Sequence, residues 1–552
     1  MNNKIIMSIV TLALLIMVSF QTKANNIDAA SARMIANSFI KQHSTKAPGS
    51  FNAPSTSDIR LVHAEPSSKV AGSNVYYMFN IQGGGFIIIA GDDRASQVLG
   101  YSDKGQIDFN NLPEPLQALL YSYKYDIEYI QTHRIADSEI KMRRSLKDGN
   151  AGVEPMTTST WGQESPYDKL TPASNGKQSK VGCAGVCMSQ MLYFWKYPLS
   201  CGSIEPYFSP KYNDTVPGLP ETTFDYSKML DSYCHWDWDN GRTVQDVYTE
   251  EQALEAAKLC RYVGQASQMN YSPNGSGTTA VRKLDAMKWF GYNQNAKTIY
   301  LTSYSTEAWE ELIREELNVY RPVMYAAYFK TVGHAFIVDG YNNEGFFHLN
   351  LGWYGTNDGW YVITAITLVN RYGEHRDYTS RNNMILYMEP PTFCEIKSDE
   401  VSAENNLLVL GESLNPQVNN VYLFTSHRTL DMMFTLTDTR GRTMATSEPL
   451  HVIRHTFDQG RDINLPLMLP ANLPSGTYDL QFSYCTGDNS QLIPVKTAPN
   501  NLVVIGNLAK YNGVFDVTDV TQAISYVLNG SPTGVNLDVS DVTKLIHYVL
   551  NQ

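Results

Sequence analysis

The hydrophobic pattern changes character several times along the 552 residues, and this limits the chain to a succession of folding units. Apolar residues at helical spacing over Ala29–Ile40 are followed by strand-like runs at Val75–Ile81 and Gly85–Ala90, then by a second helical pattern at Pro113–His133. A single core rarely grows beyond about 250–300 residues, so the length alone requires several domains. The pattern predicts a first α+β domain over residues 25–152, ahead of a longer domain over 153–392.

The remaining residues divide into two further segments. Short apolar runs such as Val421–Thr425 alternate with turns over residues 395–505, and this rhythm predicts a β-sandwich. Residues 506–552 contain a duplication, in which Phe515–Asn529 and Leu537–Asn551 repeat with an offset of 22 residues. Two equivalent helices are expected there, capped at Thr518 or Ser540.

The duplicated helices resemble a dockerin module, in which two calcium loops supply oxygen ligands. The matching positions here include Leu508, Lys510, Gly530 and Pro532, so most of the oxygen ligands are missing. We therefore assign no metal, and the aspartates are expected to cap the helices. Docking to a surface partner and simple closure of the C-terminus both stay open.

The charge balance and the N-terminus indicate the compartment. A formal charge of −12 argues against nucleic acid and anionic membranes as partners, because both require clustered Lys and Arg. Lys4 precedes the apolar run Ile5–Phe20, and small residues follow, which predicts a signal peptide over residues 1–24 with cleavage after Ala24. The alternative is an uncleaved anchor, but the run is shorter than the ~20 residues that a spanning helix prefers. We expect a secreted, periplasmic or cell-surface product with no membrane span.

Seven cysteines are too few for a disulfide scaffold in a chain of this length, and none forms a convincing CxxC zinc pair. The odd number leaves at least one thiol free or paired between molecules in an exported protein. The pairing of the others does not follow from the sequence. A free thiol in this setting suggests a chemical role.

Cys183 is the candidate nucleophile. The segment Val181–Pro198 begins with small residues and continues as an apolar helix, so Cys183 is expected at the helix N-terminus. There the unpaired backbone N–H groups and the helix dipole favour the thiolate, which is the form that attacks a carbonyl carbon. The alternative is a buried core cysteine.

His334 is the candidate base. It lies near the start of a predicted buried strand, Val332–Gly340, directly after Gly333, which allows close backbone approach. The separation from Cys183 is 151 residues, close to the roughly 130–150 residues between Cys and His in papain-like enzymes. A core histidine is the alternative for His334, and His348 is an alternative base.

Asn350 completes the predicted site. It ends a strand in the segment Phe346–Gly355, which closes in a Gly-Trp-Tyr-Gly corner. A neutral amide can orient the imidazole without competing for its proton, and Trp353 could shield that bond from water. The alternative for Asn350 is an ordinary turn residue.

These three segments together resemble the streptopain family of bacterial cysteine proteases. The resemblance covers roughly residues 25–390 and implies a papain-like fold, secretion as an inactive precursor and endopeptidase activity of broad specificity. It implies that Cys183 is the nucleophile, His334 the base, Asn350 the orienting amide and Gln163 an oxyanion-hole donor. One departure is that Leu351 stands where the family usually has Trp, which leaves substrate specificity open.

The resemblance also suggests which residues contact substrate. The segment Met269–Thr278 resembles the family's cleft wall, where backbone groups pair with an extended peptide, and Ser276 and Gly277 are its candidates. Gly333 and Trp353 are the other substrate-binding candidates. An ordinary flexible loop is the alternative for Met269–Thr278.

The sequence thus predicts an α+β protein. A papain-like, two-lobed catalytic domain follows an α+β inhibitory propeptide and precedes a β-sandwich and a small helical repeat, with maturation between Lys141 and Thr160. Protein or peptide substrates and no cofactor are expected. The alternatives are a non-catalytic adhesin or inhibitor on the same scaffold, and an amidase or acyl-transferase using the same thiol.

Overall fold

The computed structural model describes most of the chain. The described residues are 26–43, 59–133, 135, 152–174, 176–238, 242–329, 332–365, 381–403, 407–409, 413–438, 440–470, 473, 476–486, 489–495, 500–505, 516–530 and 539–550. The predicted signal peptide, the charged stretch Lys141–Asn150 and most of the dockerin-like loop positions lie outside these ranges. Among the residues that are described, no helix combines the length and apolar character needed to cross a bilayer.

The chain divides into two compact units, Met1–Phe194 with Pro198–Glu389, and Trp195–Tyr197 with Pro390–Gln552. Both helices and strands contribute, so the predicted mixed α and β class is confirmed. The helices of the first unit are α1 Ala29–Gln42, α2 Glu114–Thr132, α3 Cys183–Trp195, α4 Glu250–Ala266, α5 Ala280–Trp289 and α6 Thr306–Asn318.

The sequence explains where several of these helices begin. The Asp28 side chain accepts a hydrogen bond from the Ser31 N–H and caps α1. Thr249 and Gln252 form a reciprocal capping box at the start of α4. Helix α2 begins immediately after Pro113, whose fixed φ suits a helix start. Both helices predicted in the first segment are therefore confirmed to within two residues at each end.

The main feature of the first unit is a ten-stranded sheet with the order β1-β2-β3-β4-β17-β16-β15-β14-β18-β13. Its strands are β1 Ile59–Pro66, β2 Asn74–Ile81, β3 Phe86–Ala90, β4 Val98–Ser102, β13 Lys297–Tyr300, β14 Val323–Phe329, β15 Val332–Tyr341, β16 Phe347–Asn350, β17 Gly359–Tyr361 and β18 Asn383–Leu386. Short two-stranded sheets are formed by β5 Ala173–Ser174, β6 Lys177–Gln178, β7 Ser200–Cys201, β8 Tyr207–Ser209, β9 Asp214–Val216, β10 Thr222–Thr223, β11 Cys234–Asp237 and β12 Arg242–Gln245.

The two predicted N-terminal domains share this sheet. Strand β4 pairs antiparallel with β17, with Gly100 opposite Tyr361 and Tyr101 opposite Trp360. The pairing depends on the small size of Gly100, because a Cβ there would lie 2.3 Å from the buried Tyr361 ring. Strands from residues 59–102 and strands from residues 297–386 therefore form one continuous antiparallel layer, in which β15 and β16 are interior strands.

The second unit contains two main groups of strands. One joins β19 Cys394–Lys397, β20 Val401–Ser402, β23 Gln417–Thr425 and β27 Arg461–Asn464; the other joins β21 Leu407–Val409, β24 Thr429–Thr437, β25 Thr443–Thr446, β26 Leu450–Ile453, β29 Gly476–Thr486, β30 Asn489–Pro494 and β31 Asn500–Ile505. A further short pair is β22 Ser413–Leu414 with β28 Leu467–Met468. Side chains from both groups form one apolar cluster that includes Val421, Phe434 and Phe482.

Two helices follow these strands, α7 Val517–Asn529 and α8 Val539–Leu550, as the duplication predicted. The prediction that Thr518 caps the first helix is wrong, and the prediction that an aspartate caps it is confirmed. The cap is Asp516, whose side chain accepts from the Thr518 and Asp519 N–H groups, while Asp519 accepts from the Asp516 N–H. A carboxylate at this position satisfies two helix N–H groups that the Thr518 hydroxyl, two residues later, does not reach.

Candidate active site

Cys183 is the first residue of α3, so its own N–H has no acceptor within the helix. The preceding residue, Gly182, has a φ of 82°, and a Cβ there would lie 2.6 Å from the Ser276 carbonyl oxygen. Only glycine combines this conformation with that approach. Cys183 Sγ accepts a hydrogen bond from the Ala335 N–H at 3.4 Å and lies 4.0 Å from the Gly333 oxygen, so α3 places the thiol directly against β15.

The structure places the His334 ring in contact with the Cys183 thiol. Burial opposes ionisation of the Cys183 thiol, but the hydrogen bond and the charge of His334 outweigh it and lower the pKa of Cys183 overall. Burial likewise opposes the charged imidazole, while contacts with Cys183 and Glu114 raise the pKa of His334 to about 9. The two shifts favour a thiolate–imidazolium pair, which is the reactive form of a catalytic cysteine.

A third charged group at this site, Glu114, was not indicated by any motif. It is the first residue of α2, and its Oε2 lies 3.3 Å from Nδ1 of His334. This distance is short enough for a charge contact between Glu114 and His334. The contact is not a well-directed hydrogen bond, because Nδ1 has no partner that satisfies hydrogen-bond geometry among the described residues. Contact with His334 lowers the pKa of Glu114, and Lys180 and Gln163 lower it further.

Gln163 lies beside this cluster. Its carbonyl oxygen accepts from the Val181 N–H at 2.9 Å, which ties it to the start of α3. Gln163 is 5% exposed, and within the described part of the chain its Nε2 makes no well-directed hydrogen bond, although it lies close enough to the Glu114 carboxylate to lower the pKa of that group. A buried donor without a well-directed bond is rare in folded proteins and suggests a group reserved for a ligand.

Asn350 is buried and fully bonded, but not to His334. Its Nδ2 donates to the Ser159 oxygen at 2.7 Å and to Thr157 Oγ1 at 3.1 Å. Its Oδ1 accepts from Gln190 Nε2 and from the Gly352 N–H, each at 3.1 Å. The described residues therefore contain no Asn350–His334 hydrogen bond, and the orienting role of Asn350 stays a prediction.

The alternative base, His348, has a different partner. Its Nδ1 lies 2.6 Å from Oδ1 of Asp339, which is fully buried, and the charge of Asp339 raises the pKa of His348 against the opposing effect of its burial. Nearby, burial raises the pKa of Asp358 to about 7. This group is separate from the thiol, so the geometry favours His334 as the base.

The candidate substrate-binding residues differ in what they can offer. Ser276 lies against Gly182, next to the thiol. Gly277 uses both its N–H and its oxygen in bonds to Asn270, so its backbone is not open to a peptide. Gly333 is packed against the Tyr328 ring, and Trp353 is half-buried, with its backbone oxygen accepting from the Thr356 N–H.

Sequence reasoning missed two groups, Glu114 and Gln190. Glu114 stands far from the motif residues in the chain and looks like any acidic residue at a helix start. Gln190 is a single amide inside an apolar helix, where the one available signal was a polar residue on the same face as Cys183, two turns later.

All seven cysteines are free thiols in the structure. The odd number of cysteines had predicted at least one free thiol, and Cys183 is one of seven.

Two protein families match parts of the chain. Residues 161–361 match the Peptidase C10 family, and residues 24–127 match the Spi protease inhibitor family. Streptopain from Streptococcus pyogenes is 29% identical over 341 residues, which cover 57% of this chain and 80% of streptopain. The Thiol protease/hemagglutinin PrtT from Porphyromonas gingivalis is 26% identical over 64% of this chain and 41% of its own length.

Among solved structures, Prevotella intermedia prointerpain A is 26% identical, with a TM-score of 0.47, and covers 60% of this chain and 100% of that chain. The sequence matches include the segments that carry the thiol, the imidazole and Gln163. Residues 161–361 therefore match the Peptidase C10 family, and the matches support a cysteine peptidase similar to streptopain.

Proposed function

We propose that the chain is a secreted cysteine endopeptidase made as an inactive precursor, with Cys183 as nucleophile, His334 as base and Gln163 as an oxyanion-hole donor. The observation that carries the proposal is the contact of the thiol with β15 beside His334, together with the opposite pKa shifts of the two groups. A buried thiol without such a partner has a raised pKa, as at Cys260, where burial raises it to about 12.

The proposed reaction proceeds in two halves. The Cys183 thiolate attacks the peptide carbonyl carbon, and the oxyanion that forms accepts from Gln163 Nε2 and from the Cys183 N–H. The His334 imidazolium gives its proton to the departing amine, which leaves a thioester on Cys183. His334 then takes a proton from water, the hydroxide attacks the thioester, and the acid and the free thiolate are released.

The N-terminal segment supports the precursor part of the proposal. Residues 24–127 match an inhibitor family, and this segment contributes four strands to the sheet that carries His334. The Glu114 carboxylate faces His334 and lies near Gln163, where a substrate oxyanion would otherwise be held. A negative group at that position excludes the substrate carbonyl and ties up the imidazole, so the segment is expected to inhibit.

Casein digestion by the processed protein, combined with iodoacetamide labelling, tests the peptidase function. We expect casein cleavage by the wild type and loss of both cleavage and active-site labelling in Cys183→Ala. Labelling without cleavage would favour an amidase or acyl-transferase, and neither activity would favour a non-catalytic adhesin.

N-terminal sequencing of secreted wild type and Cys183→Ala tests self-processing. We expect the mature N-terminus in the wild type and the uncleaved precursor in the variant. Identical processing of both proteins without added protease would contradict self-cleavage.

A further inference from the structure

A chain of hydrogen bonds runs behind the candidate site, from the segment of Gln163 to the buried carboxylate of Asp339. It begins at the Trp161 N–H, which donates to Gln190 Oε1 at 3.1 Å. Gln190 Nε2 donates to Asn350 Oδ1, and Asn350 Nδ2 donates to Thr157 Oγ1. The Thr157 hydroxyl donates to Asp339 Oδ2 at 2.5 Å. The proposed reaction steps do not use these bonds.

The Trp161 N–H at one end of this hydrogen-bond series and the Asp339 carboxylate at the other determine the direction of every bond in it. A backbone N–H can only donate, so the end of Gln190 that faces Trp161 must be its oxygen, and its NH₂ must face Asn350. A carboxylate accepts and does not donate, and Asp339 also accepts from the Thr157 N–H at 2.9 Å and from His348. The single hydroxyl proton of Thr157 therefore goes to Asp339, which leaves a lone pair for Asn350.

Two backbone groups fix Asn350 independently. The Gly352 N–H requires the amide oxygen on one side, and the Ser159 carbonyl requires the amide nitrogen on the other. Gln190 is fully buried and Asn350 is 2% exposed, so water does not replace a lost partner. Reversal of any single amide would break bonds at both of its ends.

Gln190 is the residue that connects this series of hydrogen bonds to the reacting groups. It lies seven residues after Cys183 on α3, two helical turns later and on the same face. Through the Trp161 N–H it holds the segment that carries Gln163, two residues further on. The nucleophile and the oxyanion-hole donor are thereby tied to one helix.

We infer that Gln190 is a positioning residue for the peptidase reaction: it fixes the Gln163 segment against the nucleophile helix and so sets the geometry of the oxyanion hole. The inference rests on the proposed function. The hydrogen bonds of Gln190 go to Trp161 and Asn350 and not to the Cys183 thiol or the His334 ring, so it acts on the developing oxyanion and leaves ionisation of the thiol unchanged.

The test is Gln190→Met in the mature peptidase. Methionine keeps the length of the side chain and removes its hydrogen bonds, so the Trp161 N–H loses its acceptor and Asn350 Oδ1 keeps only the Gly352 N–H. We expect kcat on a peptide substrate to fall at least tenfold, KM to change less than threefold, and the pH dependence of iodoacetamide alkylation of Cys183 to superimpose on the wild type. An unchanged kcat, or an equal loss of alkylation rate, would overturn the inference.

Gln265→Met is the matched control. Gln265 is also fully buried and also makes two bonds, from Arg261 Nη1 at 2.7 Å and to the Glu205 oxygen at 2.9 Å. Neither bond reaches Trp161, so its replacement should lower Tm and leave kcat within twofold. A fall in kcat equal to that of Gln190→Met would show a general effect of buried amide loss and would overturn the inference.

Gln190→Glu serves if Gln190→Met does not fold. An ionised glutamate side chain at this position still accepts from Trp161 but does not donate to Asn350, whereas the protonated acid does both. The kcat ratio of variant to wild type should therefore fall as pH rises, and a ratio of one at every pH would refute the inference. A wild type that cleaves no peptide would instead refute the proposed function, which keeps the two failures distinct.

Discussion

At the scale of single residues, the candidate site is a balance of three charges. Burial disfavours the ionised form of both Cys183 and His334, yet their mutual contact makes ionisation of both favourable. The charge of Glu114 raises the pKa of both groups. A raised pKa disfavours the Cys183 thiolate but favours the His334 imidazolium. Glu114 therefore stabilises the imidazolium and destabilises the thiolate.

Glu114→Gln in the full precursor should shift both limbs of the Cys183 alkylation profile toward acid. Removing the negative charge lowers the pKa of Cys183 further and lowers the pKa of His334 from about 9, since both groups lose a contribution that raised them. The measurement is the pH dependence of iodoacetamide labelling, followed by intact mass of the uncleaved precursor. Glu251→Gln, at an exposed ion pair with Lys228, is the control and should change nothing. Unshifted limbs would show that Glu114 does not face the ionised pair.

Gln163→Ala should separate oxyanion stabilisation from thiol ionisation. The Nε2 donor is buried and makes no well-directed hydrogen bond among the described residues, and loss of one oxyanion-hole donor reduces kcat by about 10²–10³-fold. We expect that loss in a peptide assay, with the iodoacetamide rate of Cys183 retained within about threefold. A parallel loss of alkylation would mean that Gln163 shapes the thiol instead of the oxyanion.

The sequence predicted the residues that local chemistry marks. Cys183 follows small residues at the start of an apolar helix and His334 follows Gly333 on a buried strand, and the fold places the two side chains in contact. Glu114 and the partners of Asn350 were not predictable in this way. Their roles come from contacts across more than 150 residues, and a glutamate at a helix start or a glutamine inside a helix carries no local mark of such a contact.

At the scale of elements, residues 153–160 are bonded to strands β15 and β16 although they lie within the predicted maturation interval, Lys141 to Thr160. Val153 exchanges two backbone hydrogen bonds with Tyr341, and the Met156 N–H donates to the Asp339 oxygen. Thr157 and Ser159 then supply the acceptors of Asn350. This segment supports β15 and β16, the two strands on which the candidate site depends.

Maturation should therefore leave residues 153–160 on the protease, which narrows the predicted interval of Lys141 to Thr160. We expect N-terminal sequencing to place the mature N-terminus at or before Val153. A mature form that instead begins at Thr160 would lose several buried hydrogen bonds worth about 1 kcal/mol each, so its Tm and kcat should both be lower than those of the form beginning at Val153. A natural N-terminus after Thr157 in an active enzyme would contradict this assignment.

At the scale of the whole molecule, the predicted propeptide, residues 25–152, and the predicted protease domain, residues 153–392, contribute strands to one continuous sheet. The β4–β17 pairing is reinforced by Tyr123, whose hydroxyl donates to the Val362 oxygen, and by Ser102, whose hydroxyl donates to the Asp358 oxygen. The Leu- and Tyr-rich pattern of α2 and the strand runs predicted the elements of the prosegment but not this edge. A three-residue strand such as β17 has too short a pattern to reveal which neighbour it pairs with.

Gly100→Ala in the full precursor tests whether the β4–β17 pairing holds Glu114 at the site. The added Cβ would lie 2.3 Å from the Tyr361 ring, and overpacking of this kind costs about 1–3 kcal/mol. We expect a lower Tm for the precursor and faster iodoacetamide labelling of Cys183. The weakened β4–β17 pairing should break more often, and each break should move α2 away from His334. Gly202→Ala is the control, since a Cβ at Gly202 meets no atom within 4 Å and should alter neither property. A lower Tm with unchanged labelling would mean that α2 stays at His334 independently of the sheet, and inhibition would then depend on the local contacts of Glu114 alone.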